Sequence, residues 1–206
     1  LPTLCEVARA TFAGYRPGYL NLWTSLPARP WPGTGADTRL LAGRLGDLRS
    51  RPLTPELSAR PAADLSFYNA YVAIHEAHCR AEPAHALHAR VEARADLEEL
   101  GAAGRLYEVL VDGRWAGVLA AEAGVRRGLR GAVVVELLLD PGVRGRGYGA
   151  QLSTLLARLV PEPDGQFLLG TIHADNYPAY RSALAARRLD VGGEVNVSLW
   201  RSAAVA

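Results

Sequence analysis

The spacing of apolar positions changes near residue 106. Before it, Leu65, Tyr68, Tyr71, Val72 and His75 recur every three or four residues, which predicts a helix over roughly 62–80. Asp64 or Ser66 is placed to cap it, and a second helix is predicted over roughly 91–100. From Leu106 the period drops to two. "RLYEVLVDG" and "RWAGVLAAEA" read as two strands joined at Asp112-Gly113, a pair suited to a tight hairpin turn. After "RRGLRG", the run "AVVVELLLD" is apolar without alternation, as in a strand covered on both faces. Gln151–Leu159 continues a helix out of a glycine-rich loop, "GQFLLGTIHA" is the next strand, and Asp175 or Asn176 opens a helix over 177–186. "DVGGEVNVSLW" supplies one or two closing strands.

Residues 1–54 follow a different pattern, with aromatics punctuated by Pro and Gly. Leu4–Phe12 reads as a short helix. "LPARPWPGTGADTRLLAGRL" reads as a loop leading into a second short helix capped by Asp37 or Thr38. "TPELSARPA" is then the first strand. The expected division is an N-terminal extension over 1–54 packed on a domain over 55–206, with no internal repeat. Phe12, Tyr15, Tyr19, Trp23 and Trp31 are expected to pack the extension onto that domain. The alternatives are a lid over a substrate site or a homodimer contact.

Composition narrows the function classes. The 206 residues are 49% hydrophobic and 21% charged, as in an ordinary globular chain, and the formal charge of +2 is too weak to argue for nucleic acid. All 23 basic residues are arginine, which offers planar, multi-donor contacts to phosphate where placed well. Cys5 and Cys79 form no CxxC pair, no leader pattern opens the chain and no apolar run approaches a membrane span. A cytoplasmic protein with no membrane partner is the expectation.

The candidate chemistry centres on "LLLDPGVRGRGYGAQL", residues 137–152. Gly145, Gly147 and Ala150 match the letters of a dinucleotide fingerprint. That motif needs its first glycine at the strand end, and here Asp140 to Arg144 intervene. A turn with no ligand would give up helix stability at three glycines for no gain. A pyrophosphate cradle fits better: successive amides point inward, glycines keep side chains away, and the helix dipole favours an anion.

Read as Arg144-Gly145-Arg146-Gly147-Tyr148-Gly149, the loop is R-x-x-G-x-G. It resembles the acetyl-CoA loop of the GNAT superfamily of N-acetyltransferases, Q/R-x-x-G-x-G/A. The family's order of elements matches the reading from about residue 55 to 200. Asn176, with Ala179 three residues on, stands where the family places an Asn that bonds the pantetheine. The resemblance implies an α/β fold with a mixed, mostly antiparallel, splayed sheet flanked by helices. It also implies that the main chain of Leu137 and Leu139, with Leu138 between them, bonds the pantetheine arm, one free N–H polarising the thioester carbonyl. Arg144, Gly145, Arg146, Gly147, Tyr148 and Gly149 would take the pyrophosphate.

Transfer to an amine needs a base. Glu136 is one candidate: a lone carboxylate inside "VVVELLL" is either paired with an arginine or poised to take a proton. His173, sharing strand parity with Thr171, is another, with a structural role as its alternative. Many family members carry a Tyr acid seven residues after the Asn, where this chain has Ala183. Tyr180, one turn earlier, could substitute or simply pack, and a thiol with a pKa of about 8–9 leaves without an acid. The family's Gly-Phe after this helix is replaced by Arg187-Arg188. "HEAHCRAEPAHALH" holds His75, His78, Cys79, His85 and His88, but as HExxC rather than HExxH. Its residues line a substrate pocket or belong to core and surface, and no metal is assigned. The expected function is transfer of an acetyl group from acetyl-CoA to a small-molecule or peptide amine by direct attack in a ternary complex. The alternative is a non-catalytic acyl-CoA-binding module.

Overall fold

The computed structural model describes residues 2–26, 34–82 and 90–200; Trp31, His85 and His88 lie outside them. One eight-stranded mixed sheet organises the chain, in the order β1-β8-β2-β7-β6-β5-β4-β3. The strands are β1 (Tyr19–Thr24), β2 (Thr34–Arg44), β3 (Leu57–Pro61), β4 (Leu106–Val111), β5 (Arg114–Arg126), β6 (Leu129–Leu139), β7 (Phe167–His173) and β8 (Leu189–Ser198). The helices are α1 (Pro2–Thr11), α2 (Leu45–Arg49), α3 (Tyr68–Ala81), α4 (Arg94–Ala102), α5 (Tyr148–Leu159) and α6 (Tyr177–Ala185). All described neighbours pair antiparallel except β6 and β7, which run parallel.

One sheet face is covered by α2 and α5, whose Leu45, Leu48, Leu152, Leu155 and Leu156 pack on Val109, Leu119, Ala132 and Leu168. The other is covered at the β4–β6 end by α3 and α4, through Tyr71, Ile74 and Leu97 against Leu106, Val118 and Leu138. Full burial of such leucines is worth about 1.5–3 kcal/mol each, which makes these two cores the main fastening of helices to sheet. Among the described residues no helix is long and apolar enough to cross a membrane.

The helix predicted over 62–80 begins only at Tyr68, with Phe67 rather than Asp64 or Ser66 at its N-cap, and residues 1–54 differ further from the sequence reading. Residues 34–44 form β2 rather than a loop and a capped helix, and the helix begins only at Leu45. Thr38 pairs with His173 instead of capping. The reason is tertiary: β2 is threaded between β7 and β8, so Leu40, Leu41 and Ala42 are all buried, and a central strand overrides weak local preference. Residues 19–24 are likewise a strand, so residues 1–54 contribute two strands to the common sheet. Among their aromatics Phe12, Tyr15 and Tyr19 are exposed, while Trp23 lies under the Arg127 guanidinium at 4.5 Å.

Candidate functional site

The site begins as a failure of pairing. β6 and β7 share only three register pairs, Gly131↔Phe167, Ala132↔Leu168 and Val133↔Leu169. Beyond these each strand follows its other partner: β6 stays with β5 to Leu139, and β7 stays with β2 to His173. The strands are pressed together at their starts, since a Cβ on Gly131 would meet Phe167 O at 1.8 Å. They then open into a wedge whose inner edge is main chain paired with no strand across the gap. Leu137 N–H and Leu139 C=O both point off β5 into it: the first donates to Glu136 Oε1 at 3.0 Å, the second accepts from Arg144 Nε at 3.0 Å. The side chains of Leu138 and Leu139 are core.

A bulge turns Glu136. Ala120 faces Glu136 and Ala121 faces Val134, so Val135 is an extra residue on β6. Without it Glu136 would share the α5 face with Ala132 and Val134. With it, Glu136 points at α3. There Tyr71 Oη donates to Glu136 Oε2 at 2.9 Å and His75 Nε2 lies 3.0 Å from the same oxygen. Glu92 completes the cluster from the segment before α4: its main-chain N–H donates to Tyr71 Oη at 2.9 Å and its C=O accepts from Tyr68 Oη at 3.2 Å. Burial, then the charge of Glu136, pushes the Tyr71 phenol well above its ordinary range, so it remains a donor. The Glu92 carboxyl is also pushed up, first by burial and then by Glu136 and Asp96. The Glu136, Tyr71 and His75 side chains thus form a nearly buried, charge-assisted network at the wedge.

The glycine loop lies at the wedge's open end. Asp140 Oδ1 accepts from Gly142 N–H at 2.7 Å, and Pro141–Val143 make one 3-10 turn. Gly145 (φ 78°) and Gly147 (φ 83°) are left-handed, and a Cβ on either would meet nothing within 4 Å. Gly147 is the N-cap of α5 and brings no side-chain cap, which leaves the first amides of the helix open to an external acceptor. Tyr148 turns inward, with its hydroxyl on Glu56 at 3.2 Å, so it can offer a ligand only main chain. Arg146 lines a surface cleft with Asp112, Arg114 and Trp115 of the β4–β5 hairpin. Left-handed glycines, open space, uncapped amides and two flanking arginines fit a pyrophosphate.

The remaining candidates sit around β7 and α6. Asn176 caps α6, its Oδ1 accepting from Ala179 N–H at 3.2 Å. His173 ends β7, and its Nδ1 accepts from Asp175 N–H at 3.3 Å. Tyr180 donates to Asp190 Oδ2 at 2.9 Å, an oxygen that Arg39 Nε also holds at 2.9 Å, so its hydroxyl is turned to β8. Ala183 is buried. Of the predicted residues, the structure brings Glu136, Leu137, Leu139 and Arg144 into one connected edge, and engages Tyr180 elsewhere. Tyr71, His75 and Glu92 join Glu136 without having been tied to it by the sequence. Among the described residues no three His, Cys, Asp or Glu side chains gather as a metal site.

Comparison of the sequence finds no matching family model and no curated protein of significant similarity. Comparison of the fold does find relatives. One is an acetyltransferase from the GNAT family from Colwellia psychrerythraea, with TM-score 0.57 and 12% identity, covering 80% of this chain and 56% of that one. A GCN5-related N-acetyltransferase from Kribbella flavida gives TM-score 0.51 and 16% identity, over 96% of this chain and 74% of that one. A tandem GNAT protein from the clavulanic acid biosynthesis pathway gives TM-score 0.51 and 16% identity, over 98% and 70%. This chain spans just over half the length of the first of these. The fold is that of the GNAT acetyltransferases.

Proposed function

We propose that this GNAT-fold protein is an acyltransferase that moves an acetyl group from acetyl-CoA to a primary amine of a small molecule or peptide, by direct attack in a ternary complex. The observation that carries the reading is the β6–β7 wedge: main chain at Leu137 and Leu139 that pairs with no strand on the β7 side and bonds only side chains there, continuous with a glycine loop built for an anion, with the Glu136 carboxylate at the bulge. Acetyl-CoA would supply an activated carbonyl and a good leaving group.

The chain's own residues then have these tasks. Arg144 to Gly149 hold the pyrophosphate, and the β6 edge lines up the pantetheine as a missing strand would. Glu136 accepts three hydrogen bonds, from Tyr71, His75 and Leu137 N–H, which fix it and leave roughly one lone-pair site for a substrate proton. Glu136 takes the proton from the ammonium and the amine forms the C–N bond; once Glu136 is protonated, Leu137 N–H can exchange Glu136 Oε1 for the oxyanion and steady it. The nitrogen then gives its second proton to solvent, the C–S bond breaks as the carbonyl re-forms, and the thiolate takes a proton from solvent. Tyr180, bonded to Asp190, is not needed as an acid, and Ala183 has no proton to give.

A second reading, an acyl-CoA-binding module without catalysis, draws on the buried Ala183 where the family usually carries a Tyr. Calorimetry with acetyl-CoA and a free-CoA assay over an amine panel decide. Binding with transfer supports the enzyme. Binding with no transfer to any amine supports the module. No binding at high micromolar acetyl-CoA removes both.

A further inference from the structure

A buried cation stands at the closed end of the wedge. α6 ends in a left-handed turn: Arg187 has φ 62°, Arg187 N–H donates to Leu184 O at 2.8 Å, and Arg188 N–H donates to Ala183 O at 3.0 Å. That turn sends the Arg188 side chain inward, where the residue is 2% exposed. Its Nη2 donates to Leu41 O at 2.9 Å and approaches Gly170 O at 3.4 Å, while its Nε is buried with no partner. Among the described residues no carboxylate pairs with it. Burial lowers its pKa to about 10, so it remains protonated at neutral pH.

Its position is defined by Gly170. A Cβ there would lie 2.5 Å from Arg188 Nη2 and 3.3 Å from Val134 Cβ. Val134 and Gly170 are the first residues of β6 and β7 past the last shared pair, Val133↔Leu169. The guanidinium therefore stands at the fork itself, and the absence of a side chain at Gly170 makes room for it. A buried cation with an unmade donor and no counter-ion is disfavoured unless something else completes it.

We propose that Arg188 is the acyl-group subsite and pairs with a terminal carboxylate on the donor's acyl chain, so that the preferred donor is the coenzyme A thioester of a short dicarboxylic acid. This rests on the reading that the wedge takes an acyl-CoA, and it refines the acyl group named there. The thioester carbonyl is placed at the Glu136–Leu137 edge. From Leu137 back to Val134, across the bulge, is two steps of β5 register, Leu119 to Ala121, about 7 Å. A diacid of roughly four or five carbons plus one charge-assisted hydrogen bond spans that distance. An anion reaching Arg188 supplies both the missing counter-charge and an acceptor for Nε.

The test is calorimetric titration of the full chain with succinyl-CoA and butyryl-CoA, which share chain length and differ at the far end. The expected result is succinyl-CoA binding tighter by about tenfold or more. In Arg188→Met that ratio falls to about one; Arg188→Gln serves where the Met variant does not fold. Equal affinities in the wild type, or a preference that survives in a folded Arg188 variant, overturn the subsite while leaving acyl-CoA binding intact. Binding of neither thioester overturns the acyl-CoA reading and the subsite with it.

Discussion

His75 Nε2 lies 3.0 Å from Glu136 Oε2, across the interface between α3 and the bulge of β6. The pair joins the helix that covers the wedge to the strand that forms its edge. If Glu136 is the base, its loss removes proton transfer and leaves the pyrophosphate loop untouched. Glu136→Gln is expected to lower kcat by about 10²–10⁴-fold with acetyl-CoA affinity nearly unchanged. His75 acts through Glu136, so His75→Gln is expected to lower kcat by about tenfold with KM for the amine held, and His75→Ala to lower it further. Steady-state kinetics beside calorimetry reads both. Full activity in Glu136→Gln assigns the proton to another group.

Much of this arrangement is legible in the sequence, and what is not has a physical cause. The hairpin at Asp112-Gly113, the glycine loop and the capping Asn176 are local, so neighbouring residues specify them. β2 is not: Leu40, Leu41 and Ala42 become strand because β7 and β8 lie on either side. The Glu136 cluster is not either. Period-two counting puts Glu136 with Ala132 and Val134, and only the unpaired Val135 swings it to Tyr71 and His75. Glu92 carries no sequence signal at all, since its part is played partly by main chain. Arg188 had one: it replaces the Phe of a usual Gly-Phe, a large charged residue where an apolar one is normal.

The loop glycines separate backbone strain from ligand exclusion. Gly147 is left-handed and has open space at its Cβ. Gly147→Ala is therefore expected to destabilise by about 1 kcal/mol, the strain of a left-handed L-residue, with no clash. With a pyrophosphate cradled there, the methyl group intrudes on the ligand. Acetyl-CoA affinity should fall by about tenfold or more, beyond what the stability change explains. Denaturant melts and calorimetry on one variant compare the two; unchanged affinity removes the loop from the site.

Tyr180 tests the leaving-group step. Its hydroxyl bonds Asp190, which Arg39 still holds in its absence. Tyr180→Phe should cost about 1 kcal/mol of stability and change kcat by less than about threefold. A kcat loss of about 10²-fold, with the fold retained, would instead make Tyr180 the acid that protonates the thiolate.

Arg187 holds a conformation that glycine adopts without strain, at φ 62° in the turn that ends α6. Its main-chain bond to Leu184 does not depend on the side chain. Arg187→Gly should therefore stabilise the protein by about 0.5–1 kcal/mol, less whatever the freer unfolded chain returns. Arg188→Gly should do the opposite, because it empties a buried volume between Leu41 and Gly170. Thermal melts of the two neighbours give opposite signs if the turn is read correctly.

Glu92 gives a pH dependence whose sign can be worked out. Its folded pKa is raised, first by burial and then by the charges of Glu136 and Asp96. Folding thus favours the protonated carboxyl. The protein is relatively more stable below the ordinary carboxylate range, and that margin is lost as pH rises through the raised folded value. Glu92→Gln removes the ionisation and keeps the shape, and the main-chain bonds to Tyr71 and Tyr68 remain. It should melt higher than the wild type at pH 7, on the order of a degree or two given partial solvent screening. Below about pH 4 the gain should vanish, because the wild-type carboxyl is then protonated in both states. A difference that persists at acid pH would mean that packing, rather than charge, governs this position.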